Sequence, residues 1–232
     1  LTDISALVVA EKADLGVVVD PDVDRLALVD ENGNMVGEEY TLVAVSDYVL
    51  SQTPGNTVSN LSSSRALRDV TERYGMSYTA AAVGEVNVVA QMKRTNAIIG
   101  GESNGGIIYP ALHYGRDALV GVALMLTHLA KSGMTVSQLR ATYPSYYISK
   151  NKVGLTPDID VDAILDAMKA KYAHEKVNDI DGIKIDFATE WVHLRKSNTE
   201  PIIRIYSESR DKSAADSLAG RIIGEIKEVA GL

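Results

Sequence analysis

Three short stretches of the chain concentrate side chains that could do chemistry. Asp20-Pro21-Asp22-Val23-Asp24-Arg25 lies between the apolar runs Gly16-Val17-Val18-Val19 and Leu26-Ala27-Leu28-Val29. Pro21 has no amide to give a strand ladder, so the segment reads as a loop. Three carboxylates at alternate positions repel one another unless a cation sits among them, and oxygen-only ligands suit a hard ion such as magnesium or calcium. A solvated acidic turn is the alternative. An EF-hand would need glycine where Arg25 stands and helices where the flanks read as strands. A haloacid-dehalogenase-type phosphatase would use Asp20 as nucleophile, but its downstream lysine and acidic pair find no match in the chain.

The second stretch is Gly100-Gly101-Glu102-Ser103-Asn104-Gly105-Gly106. Glycine at most of its positions fits no element interior and lets another group come close. Apolar residues lead in (Ala97, Ile98, Ile99) and out (Ile107, Ile108, Tyr109), so the loop joins two buried strands and puts Glu102, Ser103 and Asn104 at the mouth of a sheet. A carboxylate beside an amide matches adjacent hydroxyls, as a sugar presents them, and a polar hairpin is the plainer reading. The third stretch is Arg195-Lys196-Ser197-Asn198-Thr199-Glu200-Pro201 with Arg204 beyond it. Guanidinium forks, hydroxyls, an amide and exposed N–H groups suit the oxygens of a phosphate, although a basic hairpin tip would look the same. His113 follows the glycine loop closely enough to matter. Arg116 is as consistent with a helix-cap contact as with a ligand.

These loops need elements to hold them. Strands are expected at 16–19 and 26–29, a hairpin turn at Glu31-Asn32-Gly33-Asn34, and then alternating segments. The alternation runs helix 38–50, strand 57–61, helix 64–74, strand 77–82, helix 85–94 and strand 97–100. It implies an α/β fold, doubly wound around a parallel-type sheet with ligands at the strand ends. Helices over 118–131 and 136–142 follow. The rhythm changes after residues 143–152, the candidate linker, into a helix over 158–172, strands at 183–187, 190–194 and 201–206, and a helix over 211–229, a small α+β domain.

Composition sets the class. The chain has 232 residues, 46% of them hydrophobic, with no cysteine and a net charge of −8. It can bury a core, it has no disulfide or thiolate chemistry, and its acidity argues against nucleic acid as main partner. No apolar run is long enough for a membrane span and no basic, apolar N-terminal stretch supports secretion, and the absence of cysteine fits a cytoplasmic location.

The order and spacing of the three motifs (Asp-x-Asp-x-Asp-Arg, Gly-Glu-x-[Ser/Asn]-Gly-Gly and Arg-x-Ser-Asn-Thr-Glu-Pro with a following arginine) resemble those of the α-D-phosphohexomutase superfamily. The resemblance implies that residues 1–37 are the end of the family's second domain with its metal loop, 38–149 the third domain with the sugar loop, and 150–232 the fourth, a TATA-box-binding-protein-like α+β domain with the phosphate loop. It implies phosphoryl transfer between the 1- and 6-positions of a hexose phosphate. Asp20, Asp22 and Asp24 would hold magnesium and Arg25 would assist at the reacting phosphate. Glu102 and Asn104 would bind sugar hydroxyls, and Arg195, Ser197, Asn198, Thr199 and Arg204 would hold the other phosphate. The sequence departs from the pattern in three places. The phosphoserine loop Thr-Ala-Ser-His-Asn-Pro does not occur, so the chain resembles the C-terminal part of a mutase that needs N-terminal domains and is expected to be inactive alone. Some relatives have histidines where Glu85 and Gly106 stand. Asn104 takes a position usually held by serine, which resembles phosphoacetylglucosamine mutases and suggests an amino sugar, with glucose or mannose phosphate as the alternative. A non-catalytic sugar-phosphate or divalent-ion binding module is the competing reading.

Overall fold

The computed structural model describes residues 1–155, 159–197 and 200–231, which form two compact units, Leu1–Pro144 and Ser145–Leu232. In the first unit, α1 (Thr2–Glu11) leads to an antiparallel hairpin of β1 (Gly16–Val19) and β2 (Leu26–Val29), with Val19 opposite Leu26. That register leaves the acidic loop as the hairpin's connection. Val23, inside this loop, has φ +56°, a left-handed conformation that is an outlier for a β-branched residue. Its carbonyl accepts from the amide of Ala118, which fixes the loop against the start of a later helix.

After α2 (Glu38–Gln52) come β3 (Thr57–Asn60), α3 (Ala66–Arg73), β4 (Tyr78–Ala81), α4 (Glu85–Thr95), β5 (Ile99–Gly101) and β6 (Ile107–Ile108). The sheet order is β4-β3-β5-β6, parallel among the first three and antiparallel at β6. Both faces are covered. Val88 and Met92 of α4 pack with Val58 on one face, while Leu42 of α2 reaches Gly101 and Thr71 of α3 bonds Thr57 on the other. Helices α5 (Ala118–Ser132) and α6 (Val136–Ala141) complete the unit, the first capped by Asp117 and the second by a Thr135–Gln138 capping box.

The second unit is a five-stranded antiparallel sheet of order β7-β11-β10-β9-β8, formed by β7 (Tyr147–Gly154), β8 (Lys176–Asn178), β9 (Ile183–Asp186), β10 (Trp191–Lys196) and β11 (Ile202–Ser209). Helices α7 (Val161–Lys171) and α8 (Lys212–Ala230) supply Ile164, Leu165, Met168, Leu218, Ile222 and Ile226 to a core with Val192, Leu194, Ile203 and Ile205. Asp160 and Asp211 cap the two helices. Two expectations need correction. The proposed linker contains a strand, since residues 147–154 pair along their whole length with β11. The change of rhythm after the segment marked it as a connection, but it is an edge strand, which tolerates lysines and uses them against aggregation. The helix expected from residue 158 begins at Val161, after its Asp160 cap; 158 itself lies outside the described residues.

Candidate functional site

The acidic loop is held by its own backbone and by arginine. Asp20 Oδ1 accepts from the amides of Asp24 and Arg25, and Asp20 Oδ2 lies 2.9 Å from Arg25 Nε. Burial works to raise the Asp20 pKa, but those amides, followed by the Asp24 side chain and the Arg25 charge, outweigh it and leave the value below that of an ordinary carboxylate. Arg25 also contacts Asp24, while Asp22 is exposed.

The glycine loop sits directly on this hairpin. Gly105 has φ +81°, and a Cβ there would stand 2.2 Å from the Leu26 carbonyl, so only glycine lets the loop lie against β2. The Leu26 amide donates to Gly105 O at 3.2 Å. Glu102, at the end of β5, is 5% exposed. Its Oε1 accepts from the amide of Gly84 at 3.1 Å and from Asn60 Nδ2 at 3.3 Å, and its Oε2 from Arg116 at 2.8 Å. Asn104 Oδ1 accepts from the Gly106 amide at 3.1 Å, which shapes the loop. His113 pairs with Asp117 at 3.0 Å, beside the α5 cap and not with Glu102.

Arg116 joins the two loops. One terminal nitrogen bonds Glu102, the other contacts Asp24, and Nε lies 3.3 Å from Glu85 Oε2. The Nε–H is not aligned on any acceptor, so this last contact is an ion pair and not a hydrogen bond. In the second unit, Arg195 on β10 stands opposite Arg204 on β11, which stands opposite Lys152 on β7. Cations directly opposite one another on a sheet face destabilise it unless an anion offsets them. Asp181 partly does so, 3.5 Å from Arg195. Ser197, just past the end of β10 and two residues beyond Arg195, is buried, with its amide bonded to Ile202 O; Asn198 and Thr199 lie outside the described residues.

Sequence reading missed Lys152, which it placed in the linker, and Asn60, which orients Glu102 from a different strand. No local pattern signals either: residues 149–152 are four polar residues in a row, without alternation, and Asn60 meets Glu102 from a distant strand.

The acidic loop suits a hard divalent cation by donor type, with three carboxylates and neither nitrogen nor sulfur among the candidate ligands. Its present arrangement directs Asp20 and Asp24 to arginines, and among the described residues no group of three His, Asp or Glu side chains is gathered as a metal site.

The first unit thus carries a carboxylate-arginine cluster on a sheet-end glycine loop, and the second, taken by itself, carries a basic row across its antiparallel sheet. Comparison with known proteins gives the family. The family models for phosphoglucomutase/phosphomannomutase match in two parts, α/β/α domain III over residues 37–146 and the C-terminal domain over 152–225. The chain is 37% identical over 210 residues to a phosphoglucomutase/phosphomannomutase of Thermococcus kodakarensis, covering 90% of this chain and 46% of that protein. It is 32% identical to a phosphoglucosamine/phosphogalactosamine mutase of Sulfurisphaera tokodaii, covering 99% of this chain and 50% of that protein. A crystal structure of a Burkholderia thailandensis phosphoglucomutase/phosphomannomutase family protein superimposes with a TM-score of 0.84 at 24% identity, over 99% of this chain and 50% of that one. The chain belongs to the α-D-phosphohexomutase superfamily. It spans about half the length of the curated relatives it matches.

Proposed function

We propose that this chain supplies the cation-, sugar- and phosphate-binding segments of a hexose-phosphate mutase that moves a phosphoryl group between the 1- and 6-positions of an amino sugar such as glucosamine phosphate. The observation that carries the proposal is the Asp24–Arg116–Glu102 connection, which makes one site of two motifs read separately from the sequence. Phosphoryl transfer asks mainly for positioning and charge stabilisation, and these residues supply both. Glu102, fixed by Asn60, Gly84 and Arg116, accepts from sugar hydroxyls through its remaining lone pairs. Arg25, half exposed beside Asp20, meets phosphate oxygens in this reading. A divalent ion on Asp20, Asp22 and Asp24, magnesium in this reading, would neutralise charge on the transferring group. Arg195, Arg204 and Lys152, with Ser197, Asn198 and Thr199, hold the phosphate that does not react. The phosphoryl carrier is a serine outside these 232 residues, so the chain alone binds hexose phosphate without turning it over.

The amino sugar is supported by Asn104 and by the name of the Sulfurisphaera relative; the Thermococcus relative supports glucose or mannose phosphate instead. The test is kcat/KM on glucosamine, N-acetylglucosamine, glucose and mannose phosphates for a polypeptide joining this chain to a carrier-serine segment, and again with Asn104→Ser. A glucosamine preference reduced by the substitution supports the reading. No turnover on any of the four would favour a non-catalytic sugar-phosphate binding module.

A further inference from the structure

Arg116 reaches its cluster through a gap left by another residue. A Cβ at Gly106 would lie 2.4 Å from Arg116 Cδ and 3.1 Å from Cγ, so the stem of the arginine fills the space where a side chain at 106 would be. The segment is pinned at both ends: Arg116 bridges to Ile108, its amide donates to Glu85 Oε1 at 3.1 Å, and the next residue caps α5. The guanidinium then meets Asp24, Glu85 and Glu102, which come from the acidic loop, the start of α4 and the glycine loop. Its side chain is 18% exposed, so its charge is poorly screened by water.

On the cation reading of the acidic loop given above, this geometry sets up a competition. Asp24 turns one oxygen to Arg116 and the other to Arg25, the two carboxylate oxygens that a hard ion would need. A dication bound there would also repel a guanidinium in contact with the same carboxylate.

We propose that Arg116 is a positioning residue that holds Asp24 as an internal counter-cation, and that a divalent ion on the acidic loop displaces it from Asp24 while it keeps its bond to Glu102. The terminal nitrogen so released becomes a donor beside Glu102, within the glycine loop. Cation occupancy is thereby linked to ligand binding at that loop, and the linkage runs equally in both directions. Gly106 is the second half of the device, because only a residue without a side chain admits the arginine.

The experiment is a Mn2+ titration of the 232-residue chain, with free Mn2+ read by electron paramagnetic resonance, on wild type, Arg116→Gln, Arg116→Lys, Gly106→Ala and Asp24→Asn, with circular dichroism melts as a check of folding. Arg116→Gln removes the competing charge, and Gly106→Ala evicts the side chain without removing any charge. Both are expected to bind Mn2+ roughly fivefold tighter or more, the lower end of ordinary site-to-site coupling. Arg116→Lys, which keeps a cation in place, stays near wild type, and Asp24→Asn weakens binding. Wild-type affinity, or weaker, in folded Arg116→Gln and Gly106→Ala overturns the competition while leaving the acidic loop as a cation site. Absence of Mn2+ binding in every protein, Arg116→Gln included, overturns the cation reading and the inference with it.

Discussion

Lowering the pH from 7.5 to 4.5 should destabilise the second unit through one buried imidazole. His193 on β10 is 2% exposed and lies opposite Lys184 on β9 and Tyr206 on β11, with Asp181 and Arg195 nearby. Its Nε2 is 2.7 Å from the carbonyl of Asp181, to which the neutral ring donates. Burial depresses its pKa first of all; the Asp181 carbonyl and carboxylate oppose the shift, Lys184 and Arg195 reinforce it, and the value falls from 6.5 to about 4. Between those values the unfolded chain takes up a proton that the folded chain refuses. Stability is therefore complete above about 6.5 and is lost progressively as the pH falls, with the loss saturating near 4. At about 1.4 kcal/mol per pH unit across that window, the loss approaches roughly 3 kcal/mol. Urea unfolding can be followed by the fluorescence of Trp191, the chain's single tryptophan, which is fully buried two residues away and so reports on this unit. His193→Gln, which can still donate to the Asp181 carbonyl but does not titrate, should show a flatter dependence than wild type from pH 6.5 to 4.5. Parallel slopes for the two proteins would refute the reasoning.

Three other outcomes are expected. Burial pushes the Glu31 pKa up, but hydrogen bonds led by those of Ser137 and Thr135 overcome it and hold it at about 2 against 4.5. Its stabilisation is thus present above pH 4.5 and fades toward pH 2, and Glu31→Gln should cost about 1 kcal/mol in melts at pH 7 and less at pH 3; an equal cost at both would remove the electrostatic cause. Val23→Gly should leave stability unchanged or raise it by up to about 1 kcal/mol, because relief of the left-handed strain offsets the added chain entropy, and a lower urea midpoint would show that no strain is stored there. Met168→Ala, at a fully buried position on α7, should cost about 2–5 kcal/mol by Trp191 fluorescence, whereas a loss under about 1 kcal/mol would mean that the core collapses into the gap.

Local chemistry made some of this legible and distance hid the rest. The hairpin around the acidic loop could be read because Val17 to Val19 and Leu26 to Val29 are apolar and Pro21 bars a strand between them. Helix α4 was legible from its place in the alternation of strands and helices, and the glycine loop from its two glycine pairs between apolar runs. Strand β7 was hidden because Lys150 and Lys152 suit an edge and a linker equally well. Arg116 meets Asp24 across 92 residues and Asn60 meets Glu102 across 42, and no spacing rule connects positions so far apart. Asn104 looked free to bind with its whole amide, but its carbonyl turns inward to the loop, a choice set by the Gly106 amide and not by residue type.

The sheet order of the second unit has a consequence for synthesis on the ribosome. Strand β7 is the first of that unit to be made, and its hydrogen-bonded neighbour, β11, is the last. Some 50 residues must follow before pairing can begin, a delay of about 3–10 s at ordinary translation rates. During that interval β7 is a nascent strand with both edges open, the state in which chains associate wrongly. Lys150 and Lys152 then act as gatekeepers, deterring pairing between neighbouring nascent chains until β11 emerges and closes the sheet.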